Sequence, residues 1–89
     1  MIGGVNRVYE HGGREYHIQA EDLGVEQGVF EVRVYDGGAV LWRKRLPYAE
    51  ILEKKLPKLE QDDELRALMD KTMHTVQAAI AKGKLQPPS

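Results

Sequence analysis

Between residues 14 and 46 the chain alternates apolar and polar positions, and between 63 and 82 it changes to a repeat of three and four. The first period belongs to strands and the second to a helix. Across 14–22, Tyr16, Ile18 and Ala20 share one face and Glu15, His17, Gln19 and Glu21 the other, which predicts a strand with one side in a core and one in water. Across 29–35 the pattern repeats, with Phe30, Val32 and Val34 opposite Glu31, Arg33 and Tyr35, and 39–46 form a further strand. Residues 5–10 carry enough β-branched and aromatic character to precede these as a first strand, turned by His11-Gly12-Gly13.

The hairpin Asp36-Gly37-Gly38 decides which side of the last strand is inside, because a slip of one residue exchanges its faces. A two-residue turn would set Leu41 and Arg43 beside Val32 and Val34. A three-residue turn with Gly38 as a bulge instead puts Val40 and Trp42 on the core face and sends Leu41, Arg43 and Arg45 outward. We expect the second, since it buries the only tryptophan and keeps arginine out of the core. Pro47 stops the strand, 47–56 reads as a short helix, and Pro57 breaks it. The last helix, 63–82, carries Leu65, Leu68, Met69, Thr72, Met73, Val76, Ala79 and Ile80 as an apolar stripe, with acidic residues at its start, Lys82 and Lys84 at its end and Gly83 as its cap. The predicted fold is α+β over residues 1–84. A four-stranded antiparallel β-meander is covered on one face by the long C-terminal helix, with a short helix before it and a flexible tail at 85–89.

Composition narrows the chemistry. The 89 residues are 42% hydrophobic and 30% charged, an ordinary globular balance for a single small domain. There is no cysteine, hence no disulfide and no thiolate. Neither a basic leader with an apolar run nor a membrane-length apolar segment is present, and a cytoplasmic protein without membrane contact is expected. A net charge of −1 draws no polyanion to the molecule as a whole. The cations gather locally at Arg43-Lys44-Arg45, with Lys54, Lys55 and Lys58 nearby, and blunting of an edge strand accounts for them more simply than a binding patch does.

None of the three histidines sits at metal-ligand spacing. His11 is in a turn, His17 on the wet face of its strand, and His74 on the polar side of the helix one turn after Asp70. Glu21 and Asp22 are strand neighbours pointing to opposite faces, so they cannot share a proton. The phosphate-binding and nucleophile-elbow glycine motifs are absent, and Ser89 is the only serine. Neither a cofactor nor a catalytic set is expected. Among the aromatics, Tyr16 and Trp42 are assigned to the core, leaving Tyr35 alone as a base-stacking surface.

The runs Glu15-Tyr16-His17-Ile18-Gln19-Ala20-Glu21-Asp22-Leu23-Gly24, Val34-Tyr35-Asp36-Gly37-Gly38-Ala39-Val40-Leu41 and Lys44-Arg45-Leu46-Pro47-Tyr48, with the helix around Met73-His74, resemble a family of small bacterial domains of unknown function. The shared features are Tyr-His-x-Gln-x-Glu-Asp-x-Gly, a Gly-closed hairpin, Lys-Arg-x-x-Tyr and a C-terminal helix. This chain departs from the pattern at Ala20, at Leu46-Pro47 and at Met73. The resemblance implies the fold and no activity.

The outer sheet face displays His17, Gln19, Glu21, Glu31, Arg33, Tyr35, Arg43 and Arg45, and of these His17, Gln19, Glu31, Arg33, Tyr35, Arg43 and Arg45 form the candidate binding surface. The expected function is a non-enzymatic protein-interaction domain, with a homodimer as one assembly. Nucleic-acid or nucleotide binding through the basic outer face is the alternative.

Overall fold

The computed structural model describes residues 3–85. Strands β1 (Gly4–His11), β2 (Arg14–Asp22), β3 (Val29–Asp36) and β4 (Ala39–Pro47) form one antiparallel sheet in the order β1-β2-β3-β4, followed by helices α1 (Ala49–Glu53) and α2 (Lys58–Ala81). It is the expected α+β meander with its covering helix. Among the described residues no helix is long and apolar enough to cross a membrane.

Both hairpins at the tip of the sheet close through two glycines, Gly12-Gly13 and Gly37-Gly38, all four with φ between 60° and 84°. That conformation twists a two-residue loop in the sense of its strands. Arg14 bonds Asp36 at 2.5 Å and ties the two tips together. The three-residue turn expected at Gly38 is therefore corrected. Asp36 pairs with Ala39, and the extra residue lies further along, where Tyr35 pairs with Val40 and Val34 with Trp42. Leu41 is the bulged position. Skipping it returns Trp42 to the core side, as a bulge at Gly38 would have done, but leaves Val40 on the outer face and 50% exposed. Leu41 and Trp42 both pack, half-buried, on the edge of the core.

The core lies between the sheet and α2. Ile18, Ala20, Phe30, Val32 and Val34 from the sheet are at most 1% exposed, and Leu65, Met69, Met73, Val76 and Ile80 meet them from the helix. Tyr48 and Ile51 close one end. The helix begins five residues earlier than its apolar stripe predicts, because Pro57 (φ −54°, ψ 149°) serves as its N-cap and its carbonyl accepts from Gln61 N–H at 2.9 Å. The first turn is held by Lys58, whose ammonium donates to Asp62 at 2.9 Å. The C-terminus ends as expected at Gly83: Gly83 N–H donates to Ile80 and Lys84 N–H to Ala79, the paired bonds of a Schellman cap. In the expected tail, Leu85 packs against the core, and 86–89 lie outside the described residues.

Candidate functional site

The register arranges the outer face in three rows that cross the strands. One row is Val8, His17, Tyr35, Val40; the next is Asn6, Gln19, Arg33, Arg43; the third is Gly4, Glu21, Glu31, Arg45. All seven residues expected to form the surface, His17, Gln19, Glu31, Arg33, Tyr35, Arg43 and Arg45, thus share one face. They do not share one role.

Glu31 is not the exposed acid that alternation implies, since its side chain is only 7% exposed. Arg33 and Arg45 close over it from the same and the adjacent strand, Arg45 Nε donating to Oε2 at 3.0 Å and Arg33 Nε to Oε1. Arg33 also reaches Glu21 at 3.3 Å. The hydrogen bond from Arg33, then that from Arg45, holds the Glu31 carboxyl below the ordinary range against the opposing effect of burial. The Arg33 guanidinium is correspondingly raised, by Glu31 first and by a hydrogen bond to Tyr35 second. This ladder braces β2, β3 and β4, and it consumes two of the three arginines. Arg43 makes no ion pair among the described residues and stays exposed beside Arg33.

A stability prediction follows from the ladder. The Glu31 carboxylate is engaged by the partly exposed side chains of Arg33 and Arg45, so the site is shielded rather than interior, and Arg33→Ala should cost about 1–2 kcal/mol, below the value for a pair broken deep in a core. Because the Glu31 pKa is lowered on folding, its contribution is complete above the unfolded value, near 4.5, and is lost as pH falls through the native one. Glu31→Gln should therefore flatten the fall in melting temperature expected below pH 4.5, a difference that thermal scans of the two proteins across that range would measure. An unchanged acid limb would remove Glu31 from the account.

In the first row, His17 Nε2 lies 2.9 Å from Glu15 Oε1, with both side chains about half exposed. Tyr35 is half-buried between His17 and Val40, and Gln19 is half-buried between Asn6 and Arg33. The chemistry available on this face is shape, hydrogen bonding and the charge of Arg43. Among the described residues no three His, Asp or Glu side chains gather as a metal site.

Two groupings escaped the reading of the sequence. Asp22, on the core side and 3% exposed, accepts from the Tyr48 hydroxyl at 2.7 Å and from Gly24 N–H at 2.9 Å. Burial, then the bond to Asp22, raises the Tyr48 pKa. Tyr48 N–H in turn donates to Gly28 at 2.9 Å, so the pair anchors α1 to the β2–β3 loop. The signal was present in the two motifs that end in Asp22-x-Gly24 and Tyr48. The second grouping is Arg7, on the core side of β1, which bonds Asp70 and donates to His74 Nε2 at 3.3 Å, while His74 Nδ1 stands 3.5 Å from Asp70. His74 thus has company that its sequence neighbours do not disclose.

No family model matches the chain, and neither a curated protein nor a solved structure matches it.

Proposed function

We propose that this chain is a non-enzymatic protein-interaction domain whose partner docks on the open face of the sheet, over Val8, His17, Tyr35 and Val40. One observation carries the reading. On a face that no other element covers among the described residues, an apolar and aromatic row crosses all four strands, with Val8 57% and Val40 50% exposed at its ends. A solvent face ordinarily alternates to polar residues, and a tyrosine-centred apolar strip with polar neighbours is the composition of a recognition surface. Arg43, free to form planar bidentate contacts, borders it. Membership in the family of small bacterial domains belongs to the same proposal, supported by the meeting of Asp22, Gly24 and Tyr48 from two of its motifs.

Nucleic-acid binding stands second because Arg33 and Arg45 are already engaged by Glu31. Tyr35→Ser combined with Val40→Ser tests the reading. Surface changes of this kind alter stability by about 0.5 kcal/mol or less each, so the fold should persist while proteins retained from a native extract by the immobilised wild type are lost. Full retention by the double variant would sink the proposal. Binding of mixed-sequence oligonucleotides with a steep salt dependence, abolished by Arg43→Gln, would move the assignment to the second reading.

A further inference from the structure

The two edges of the sheet are built differently. β4 carries Arg43, Lys44 and Arg45 at its middle, the bulge at Leu41 and Pro47 at its end, three devices that stop an edge from accepting another strand. β1 has none of them. Its eight residues pair with β2 without a register shift and include neither proline nor lysine. Its one central charge, Arg7, is engaged by Asp70 and His74 of α2. The donation of Asp22 N–H to Gly3 at 3.2 Å fixes the phase of the ladder. Val5, Arg7, Tyr9 and His11 therefore exchange hydrogen bonds with β2, and Gly4, Asn6, Val8 and Glu10 direct theirs away from the sheet. Among the described residues no loop or helix bonds to those outward groups.

We propose that β1 is a homodimerisation strand: two copies pair β1 with β1, antiparallel, about a two-fold axis at Val8, giving one sheet of eight strands. The register follows from the side chains. Centring on Arg7 would oppose two like charges, which destabilises a cross-strand pair. Centring on Asn6 overlaps only part of the strand. Centring on Val8 sets Val8 against Val8 and Asn6 against Glu10 on the outer face, an apolar contact flanked by amide–carboxylate pairs. On the core side it sets Arg7 against Tyr9 and Val5 against His11. The narrow pairs of this register fall on Asn6, Val8 and Glu10, whose backbone groups are the outward ones. The apolar row of each copy then continues through its mate without interruption. α2 lies over β1 and β2, and with strands roughly 4.8 Å apart two such helices meet at about 10 Å, the ordinary spacing of packed helices. Because both outer edges of the dimer are the blunted β4 strands, assembly stops at two.

The dimer does not depend on the partner proposed for the open face, whose test alters Tyr35 and Val40. Wild-type protein should sediment at twice the 10.1 kDa chain mass from micromolar to millimolar concentration, with the amides of Asn6, Val8 and Glu10 protected from hydrogen exchange. Val8→Pro removes an N–H that points away from β2, so the edge strand tolerates it while the mass should halve with the far-ultraviolet spectrum unchanged. Val8→Lys and Val8→Glu should each be monomeric alone and should combine into a heterodimer when mixed. A wild type that stays monomeric with those amides unprotected overturns the proposal and leaves the edge to a foreign strand or to none. A dimeric Val8→Pro places the interface on another surface, and failure of the charge-swapped pair to combine refutes the Val8-centred register.

Discussion

Phe30→Ala is expected to lower the free energy of unfolding by about 3–5 kcal/mol, the cost of deleting a large aromatic side chain from a packed interior. Phe30 is 0% exposed and belongs to the cluster in which the sheet meets Tyr48, Ile51 and the helix residues. With one helix over one sheet there is little second-layer material to collapse into the void. Against a total near 5–15 kcal/mol for a native domain, the variant should be partly unfolded at physiological temperature. Urea melts monitored by circular dichroism give the value. A loss below about 1 kcal/mol would mean that the site relaxes fully and that α1 is loosely seated.

Asp22→Ala should cost nearly as much, about 2–4 kcal/mol, for a different reason. It leaves the buried Tyr48 hydroxyl and the Gly24 N–H without their acceptor, and each orphaned buried donor costs about 1–3 kcal/mol. Tyr48→Phe removes one donor but leaves Asp22 Oδ1 its bond from Gly24 N–H, so no buried group is orphaned and the cost should be nearer 1 kcal/mol. The ordering of the two variants is the test. Equal losses would show that the hydroxyl–carboxylate bond alone matters and that the Gly24 bond contributes nothing.

The sheet, its order and the identity of its inner face were legible because alternation is a local signal: Ile18, Ala20, Phe30, Val32 and Val34 could be assigned from neighbours one and two residues away. The helix start was missed by five residues. Lys58-Leu59-Glu60-Gln61 shows no apolar period, and Leu59 is 79% exposed, although Pro57 was a usable boundary marker. The bulge at Leu41 has no marker of its own. It was misplaced at Gly38 because either position returns Trp42 to the core and only Val40, which turns outward, and Leu41, which packs on the core edge, distinguish them. On the candidate surface, alternation put Glu31 and three arginines on one face, with Arg33 beside Glu31 on the same strand, but only the cross-strand register shows that Arg45 stands opposite Glu31. Asp22 and Tyr48, 26 residues apart, and Arg7 and His74, 67 apart, are joined by tertiary structure alone.

The meander followed by a covering helix has a consequence for how the chain is made. Every strand pairs with its neighbour in sequence, so each hairpin can close within about 1–10 μs of being available. The helix that covers the core face ends 34 residues after β4, and at roughly 5–20 residues per second the ribosome needs about 2–7 s to supply it. For that interval the nascent sheet presents Ile18, Phe30, Val32 and Val34 uncovered. The window in which a chaperone competes with the chain's own C-terminal third is thus opened by the order of the elements and closed by translation.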